Sequence, residues 1–385
     1  MSGPSRFAVA KQELLTDLER VVADLFGGNA QMRHKRGSTW NVANPHRANS
    51  KPKQMVVWLS GAVRGGFKDF TNPDVVKGDV IDLVAFVLEG RIDDASRKAA
   101  IEWAEDRYGI REMDPAEKER RAQEHREKQE ELKRQAEIDA AANRTRARKL
   151  FYSAEAQILD TPVDIYLQSR GIDLRAIKGL GHAIRYLPNA EYWMGAPHDA
   201  DGKKMGKGPV FDAMLCAFIN DNHQIAACHF TFLADGGAGK ADVSRFGDDL
   251  SAKLMMCPTS GLFIPLTNGG SLLNLKEAVQ VRSTDMWTLH EGVEDSLSTA
   301  LLQPDLRCIA VGALAGLGTL PRHPNQGGFL VMKDNDWCKP QVELQFNKSI
   351  ARLRSWGKPV EVANMPDQWG KDVNDAINRE TEHDG

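Results

Sequence analysis

The chain has 385 residues, 42% of them hydrophobic and 27% charged, with 50 Lys+Arg against 53 Asp+Glu for a net charge of −3. That length suffices for two or three domains with sizeable cores, and the near-neutral balance names no partner by bulk charge. No run approaches the roughly 18–20 unbroken apolar residues of a membrane span, the opening MSGPSRFAVAKQELLTDLER lacks an apolar leader, and the five cysteines form no CxxC pair, so the sequence predicts a cytoplasmic, membrane-free protein with reduced thiols.

Residues 1–112 predict a small α+β domain: an amphipathic helix from Ala10 to Phe26, a strand-like, Gly-punctuated middle from Trp40 to Phe70, and two helical stretches, GDVIDLVAFVLEG and ASRKAAIEWAEDRYG. Residues 113–150 are almost all Glu, Lys, Arg, Gln and Ala and predict a long, solvated helix. Pro115 suits its first turn, and Glu three or four residues from Lys or Arg stabilises such a helix by a few tenths of a kcal/mol per pair, to order of magnitude. Its end, Arg144, Arg146, Arg148 and Lys149, is basic without acidic compensation and leaves room for a phosphate contact.

Residues 151–275 open with a helix and continue as short strands, HAIRYLP, AMLCAFIN, IAACHFTFL and GLFIPL, with turns at Asp221-Asn222 and Asp235-Gly236. Basic side chains accumulate here: Arg185, Lys203, Lys204, Lys207, Lys240, Arg245 and Lys253. Residues 276–385 alternate strand and helix, which predicts a compact α/β unit with a parallel sheet. Its first apolar strand, Met286 to Leu289, ends in Glu291-Gly292; a second runs from Cys308 to Leu314; a third, Gly328 to Met332, ends in Asp334-Asn335-Asp336.

The C-terminal ends of strands are where open α/β sheets bind ligands. If Asp334 and Asp336 sit on extended backbone they share a face, and Glu291 and Asp295, four apart on a helix start, share another. Two bare carboxylates about 4 Å apart repel by roughly 4 kcal/mol at an effective dielectric near 20, so such a cluster binds a cation or holds protons. Oxygen-only donors favour Mg²⁺ or Mn²⁺.

Hydrophobic-Glu-Gly followed by hydrophobic-Asp-x-Asp on this alternating pattern resembles the Toprim domain, the metal-binding fold shared by bacterial-type primases, type IA and II topoisomerases and several nucleases. The resemblance implies a Rossmann-like parallel sheet over residues 276–385, with Glu291 in general acid/base chemistry or metal binding and Asp334 and Asp336 as metal ligands. EGVED resembles the primase form of the first motif, which adds Asp295. WGKDVNDAI resembles a segment supplying a second acidic pair, here Asp372 and, in place of the second acid, Asn374.

GGAGKAD has neither the spacing nor the Ser/Thr of a Walker A loop, and no tyrosine-nucleophile domain is recognisable, so helicase and topoisomerase readings fall away. The middle region, with YLQSRGI near its start, resembles phage- and plasmid-borne primase-like proteins in which a basic α+β domain precedes Toprim. The N-terminal domain ends like a primase zinc-ribbon at Gly78, Asp79, Val80 and Ile81, but Asn44-Pro45-His46 stands where a Cys-Pro-x-x-His opening belongs, so no zinc is expected and His34 and His46 read as hydrogen-bonding residues.

The resemblance thus implies a DNA primase. It would make short primers on a single-stranded DNA template from nucleoside triphosphates with Mg²⁺ or Mn²⁺, with a replicative helicase acting in trans. Catalysis would fall to Glu291, Asp334, Asp336 and Lys253, metal binding to Glu291, Asp295, Asp334, Asp336 and Asp372, and nucleotide or DNA contact to Lys240, Arg245, Lys253 and Arg185. His290 reads as structural, and Trp58 and Phe70 as core. Two other readings of the same acids stay open: a Toprim nuclease or nickase, and a DNA-binding replication accessory without turnover.

Overall fold

A computed structural model describes residues 5–27, 33–36, 39–48, 50–51, 54–61, 63–70, 76–108, 115–197, 199, 204–247, 249–334, 340–364 and 373–375. The chain forms two compact units, residues 1–138 and 139–385. No helix among the described residues is long and apolar enough to cross a membrane.

In the first unit, helices α1 (Arg6–Thr16) and α2 (Leu18–Phe26) precede a meander of strands β1 (Arg33–Arg36), β2 (Thr39–Val42), β3 (Met55–Trp58), β4 (Phe67–Asp69) and β5 (Lys77–Gly78), followed by α3 (Val80–Glu89) and α4 (Asp94–Tyr108). The five strands pair antiparallel in chain order. The amphipathic segment predicted as one helix is two: Asp17 leaves helical geometry and its carboxylate accepts from the Arg20 amide, starting a new helix. Asp79 begins α3 through a reciprocal capping box with Asp82. Leu14, Val21, Val57, Phe67, Leu83 and Phe86 fill the core. At the Asn44-Pro45-His46 turn the Asn44 amide donates to Asp69 at 2.7 Å, and His46 Nε2 lies 2.7 Å from the Phe86 carbonyl. Trp58 is half-buried, while Phe70, expected in the core, is 44% exposed with Lys68 over its ring.

The charged helix α5 (Pro115–Ser153) contains the boundary between the two units. The second unit continues with α6 (Pro162–Ser169) and an antiparallel sheet of β6 (Ile184–Glu191), β7 (Val210–Ile219), β8 (Ile225–Phe232) and β9 (Lys253–Met256). Strand alternation gives this sheet two buried faces. Met214, Cys216 and Phe218 pack with residues of the following α/β segment, and Leu215, Ala217, Cys228 and Phe230 pack with Ala147 and Phe151 of α5.

That segment comprises β10 (Ile264–Pro265), α7 (Leu275–Gln280), β11 (Asp285–His290), α8 (Val293–Leu302), β12 (Arg307–Ala310), α9 (Leu314–Thr319), β13 (Gln326–Lys333), α10 (Pro340–Arg354) and β14 (Val360–Asn364). Its sheet runs β10-β12-β11-β13-β14, with β12, β11, β13 and β14 parallel and β10 antiparallel at the edge. The strand read within GLFIPL therefore joins this sheet through Ile264 and Pro265, while Phe263 just before it bridges Ile219 of β7 in the four-stranded one. The central parallel strands β11 and β12 are largely buried, as parallel pairing covered by helices requires.

Candidate functional site

The parallel pairing of β11 with β13, Leu289 beside Val331, sets Glu291 and Asp334 just beyond the C-terminal ends of neighbouring strands. The Glu291 main chain is fixed there by its carbonyl, which accepts from the Gly312 amide at 2.9 Å. Both carboxylate residues are half-buried, and both have interaction partners.

After Glu291 the chain turns into α8 through Gly292. A Cβ on Gly292 would lie 2.4 Å from Asp295 Oδ2, so only glycine lets the Asp295 carboxylate fold back over the helix start. Asp295 is buried, and its Oδ1 accepts from the Asn374 amide at 3.2 Å. The Asn374 side-chain amide donates to the Arg170 carbonyl at 2.7 Å and to Ser298 Oγ at 3.0 Å. This accounts for the amide at a position where an acid was expected: a carboxylate would face a carbonyl oxygen without a donor between them.

The other acid of this turn, Glu294, went unnoticed in the sequence. It is 3% exposed and faces the four-stranded sheet. Lys253 of β9 donates to its Oε2 at 2.9 Å, Lys240 approaches Oε1 at 3.5 Å, and the Tyr166 hydroxyl of α6 donates to Oε1 at 2.7 Å. Burial alone would raise the Glu294 pKa; Lys253, Lys240 and the Tyr166 hydrogen bond outweigh it and hold the carboxyl well below its usual range. The positive end of the α8 dipole acts in the same direction. Burial lowers the Lys240 pKa against the opposing pull of Glu294, and the Tyr166 hydroxyl is pushed up by burial and by the same carboxylate.

Lys240 reaches this cluster because its loop is clamped. Gly237 has φ +81°, and a Cβ there would lie 2.2 Å from the Pro162 carbonyl oxygen, so glycine allows the 234–240 loop to press on the start of α6. His229 of β8 is buried beside the cluster; burial, then Lys253, lowers it to about 4, and its Nδ1 has no hydrogen-bond partner among the described residues. Arg170, in the YLQSRGI segment, borders the same cluster through its field on Tyr166 and Lys240.

The predicted residues thus separate. Glu291 and Asp334 stand just beyond the ends of β11 and β13, Asp295 lies in the first turn of α8, and Lys240 and Lys253 meet on Glu294 in that same turn. Asp336, Asp372 and Lys203 lie outside the described residues. Arg185 and Arg245 stand on the other face of the four-stranded sheet: Arg185 lies 4.9 Å from the Phe151 ring and 5.4 Å from Tyr152, and Arg245 lies 4.8 Å from Phe246. Lys204 pairs with Glu191 at 2.5 Å, and Lys207 is exposed. His290 is buried, lowered to about 3 by burial, with no hydrogen-bond partner on either ring nitrogen among the described residues. Among the described residues no three His, Cys, Asp or Glu side chains converge as a ready metal cage. The candidate donors along these strand ends are all carboxylate oxygens, the chemistry that hard divalent cations take, with water and phosphate completing the shell.

Residues 141–266 match a family described as a domain of unknown function, DUF7146. No curated protein matches the chain. Among solved structures the chain is similar to the zinc-binding and RNA polymerase domains of the Aquifex aeolicus primase, at 14% identity and a TM-score of 0.37 over 99% of this chain and 84% of that one. It is similar also to a DNA primase domain from Pseudomonas aeruginosa, at 15% identity and a TM-score of 0.39 over 62% and 75%. The DnaG primase catalytic domain bound to ssDNA matches at 12% identity and a TM-score of 0.40 over 63% and 76%.

Proposed function

We propose that the chain is a primase-type nucleotidyl transferase that makes short primers on single-stranded DNA. In this reading residues 276–385 are a Toprim domain, 151–275 the basic part of the polymerising core, 113–150 a charged helical linker and 1–112 a zinc-free relative of the primase zinc-ribbon. Phage or plasmid replication in a bacterial cytoplasm is the setting the sequence resemblance implies, with a replicative helicase in trans. The observation that carries the reading is the first turn of α8, where Glu294 holds Lys253 of β9 and Lys240 of the preceding loop, next to a strand pair that ends in Glu291 and Asp334. Phosphoryl transfer needs both: acids for a divalent cation and cations for the triphosphate.

Glu291, Asp295 and Asp334, joined by Asp336 and Asp372, would hold Mg²⁺ or Mn²⁺. When bound, such ions stabilise charge on the phosphoryl group being transferred and favour attack by the primer 3′-hydroxyl. Lys253 and Lys240 keep ammonium protons free of Glu294 and turn them to the triphosphate, since each side chain is about a third or more exposed while the carboxylate between them is buried. Glu294 keeps two like charges together that would otherwise repel.

The test is synthesis on mixed single-stranded DNA with labelled NTPs and dNTPs in Mg²⁺ or Mn²⁺, beside the Asp334→Asn variant. Short labelled products that fall at least about a hundredfold in the variant support the reading. A fully active variant would sink it. Shortening of the input strand would point instead to a nuclease, and binding without either product to a replication accessory.

A further inference from the structure

Helix α5 changes character along its length. Between residues 120 and 139 it carries six acids and six bases, paired along its surface as in Arg134 with Glu131 at 2.7 Å and Arg120 with Glu124 at 3.8 Å. Between residues 140 and 154 it carries four bases, Arg144, Arg146, Arg148 and Lys149, and no acid. All four are exposed, and among the described residues none pairs with a carboxylate. A merely solvated face has no reason to drop its acids at the point where the helix meets the four-stranded sheet.

Here α5 lies on the face of that sheet opposite α8, held by Ala147, Phe151 and Ala154. Arg144, Arg148 and Tyr152 follow at four-residue spacing and so line one flank of the helix. That flank walls a cleft of about 470 Å³ closed on the far side by His223, Gln224 and Ile225 of the β7–β8 hairpin. Asp221, at the tip, is the single acid of the 219–225 turn. The Tyr152 ring is 58% exposed and stands between Arg148, 5.9 Å from its centroid, and Arg185 at 5.4 Å. Arg185 is itself anchored, donating to the Ala154 carbonyl at 2.9 Å, so it fixes the ring. An exposed aromatic between the anchored Arg185 and the exposed Arg148, with Arg144 one turn away, combines a base-stacking platform with phosphate donors.

We propose that this flank of α5 is a second nucleic-acid contact, in which Arg144 and Arg148 take backbone phosphates of a single strand and Tyr152 stacks on one of its bases. It lies away from the acidic cluster and needs no metal. Its identification with the template strand rests on the polymerase reading; the contact itself does not.

The experiment is fluorescence anisotropy of the full chain with a labelled oligo-dT in EDTA, over a series of salt concentrations. The Arg144→Gln/Arg148→Gln double variant should weaken binding at least about tenfold near 0.1 M salt and lower the log–log salt slope by about 1.4, two phosphates at roughly 0.7 each. Tyr152→Ala should weaken binding about fivefold or more without changing the slope, and Arg134→Gln, in the acid-paired half of the helix, should bind as the parent chain does. A double variant with parental affinity and slope would overturn the contact, and so would a parent chain that binds no oligonucleotide. Equal affinity for a duplex of the same length would overturn its single-strand character. A parent chain that binds through these residues yet makes no primer keeps the contact and removes the polymerase; primer synthesis with binding indifferent to the arginines does the reverse.

Discussion

Two buried ion groups stand at opposite ends of strand β11, and they are built differently. At its start, the fully buried Arg307 guanidinium donates to Asp285 at 2.7–2.8 Å and to the Leu273 carbonyl at 2.8 Å, and Asn325 donates to the same Asp285 oxygen at 3.0 Å. Beyond its end, Glu294 is as deeply buried, but its two lysines keep 33% and 41% of their side chains exposed. The first group is closed, and its chemistry ends in the fold. The second is buried on its acidic side and open on its basic side, which is what a site that receives a phosphate requires. Burial of charge alone does not mark a functional site; leftover donors facing solvent do.

Acid titration probes both ends together and should have the largest effect. His323 lies near the closed group, taking the Asn325 amide on its Nδ1 at 3.2 Å, and His229 lies beside the open one. Burial is the main cause that lowers each to about 4, below the unfolded value near 6.5. The unfolded chain therefore takes up the extra protons, so their contribution is whole above pH 6.5 and is lost as pH falls towards 4, at up to about 1.4 kcal/mol per pH unit for each imidazole. Urea denaturation of the second unit between pH 7 and 4.5 should show this fall; a flat profile would mean the two imidazoles are not buried as described.

A pair of substitutions separates the two groups. Asp285→Ala leaves the Arg307 charge buried without its partner and should cost about 3–5 kcal/mol of stability. Glu294→Gln should cost less, about 1–2 kcal/mol, because both lysines keep contact with water, but it should raise KM for nucleotide while Asp285→Ala changes KM little in whatever fraction stays folded. Chemical denaturation and steady-state kinetics on the two variants check this. Equal stability losses with no change in KM would erase the distinction between closed and open.

Much of the scaffold could be read from local pattern. The apolar runs ending at Glu291 and Asp334 announced buried strands because parallel strands are covered on both faces, and the acid-base weave of residues 115–139 announced a solvated helix. Glu294 was hidden for a physical reason: beside Asp295 in a helix start it looks like another solvated acid, and it is buried only because β9 and α6, far away in sequence, fold over it. One local sign was present, since Val293 and Leu297 flank it on the apolar side of α8. Arg170 carried a sign as well, in YLQSRGI. The antiparallel edge strand Ile264–Pro265 was read with its sequence neighbours because pairing partners are set by tertiary contact, not by composition.

The central claim is that the acids beyond β11 and β13 hold a divalent cation beside the lysines that take its nucleotide. Mn²⁺ titration followed by electron paramagnetic resonance, with and without a nucleoside triphosphate, tests it directly on the parent chain and on Asp334→Asn. The account predicts Mn²⁺ binding that tightens with nucleotide and is weakened at least about tenfold in the variant, a fold-change typical of losing one ligand or its support. Mn²⁺ binding equal in both chains and indifferent to nucleotide would contradict it.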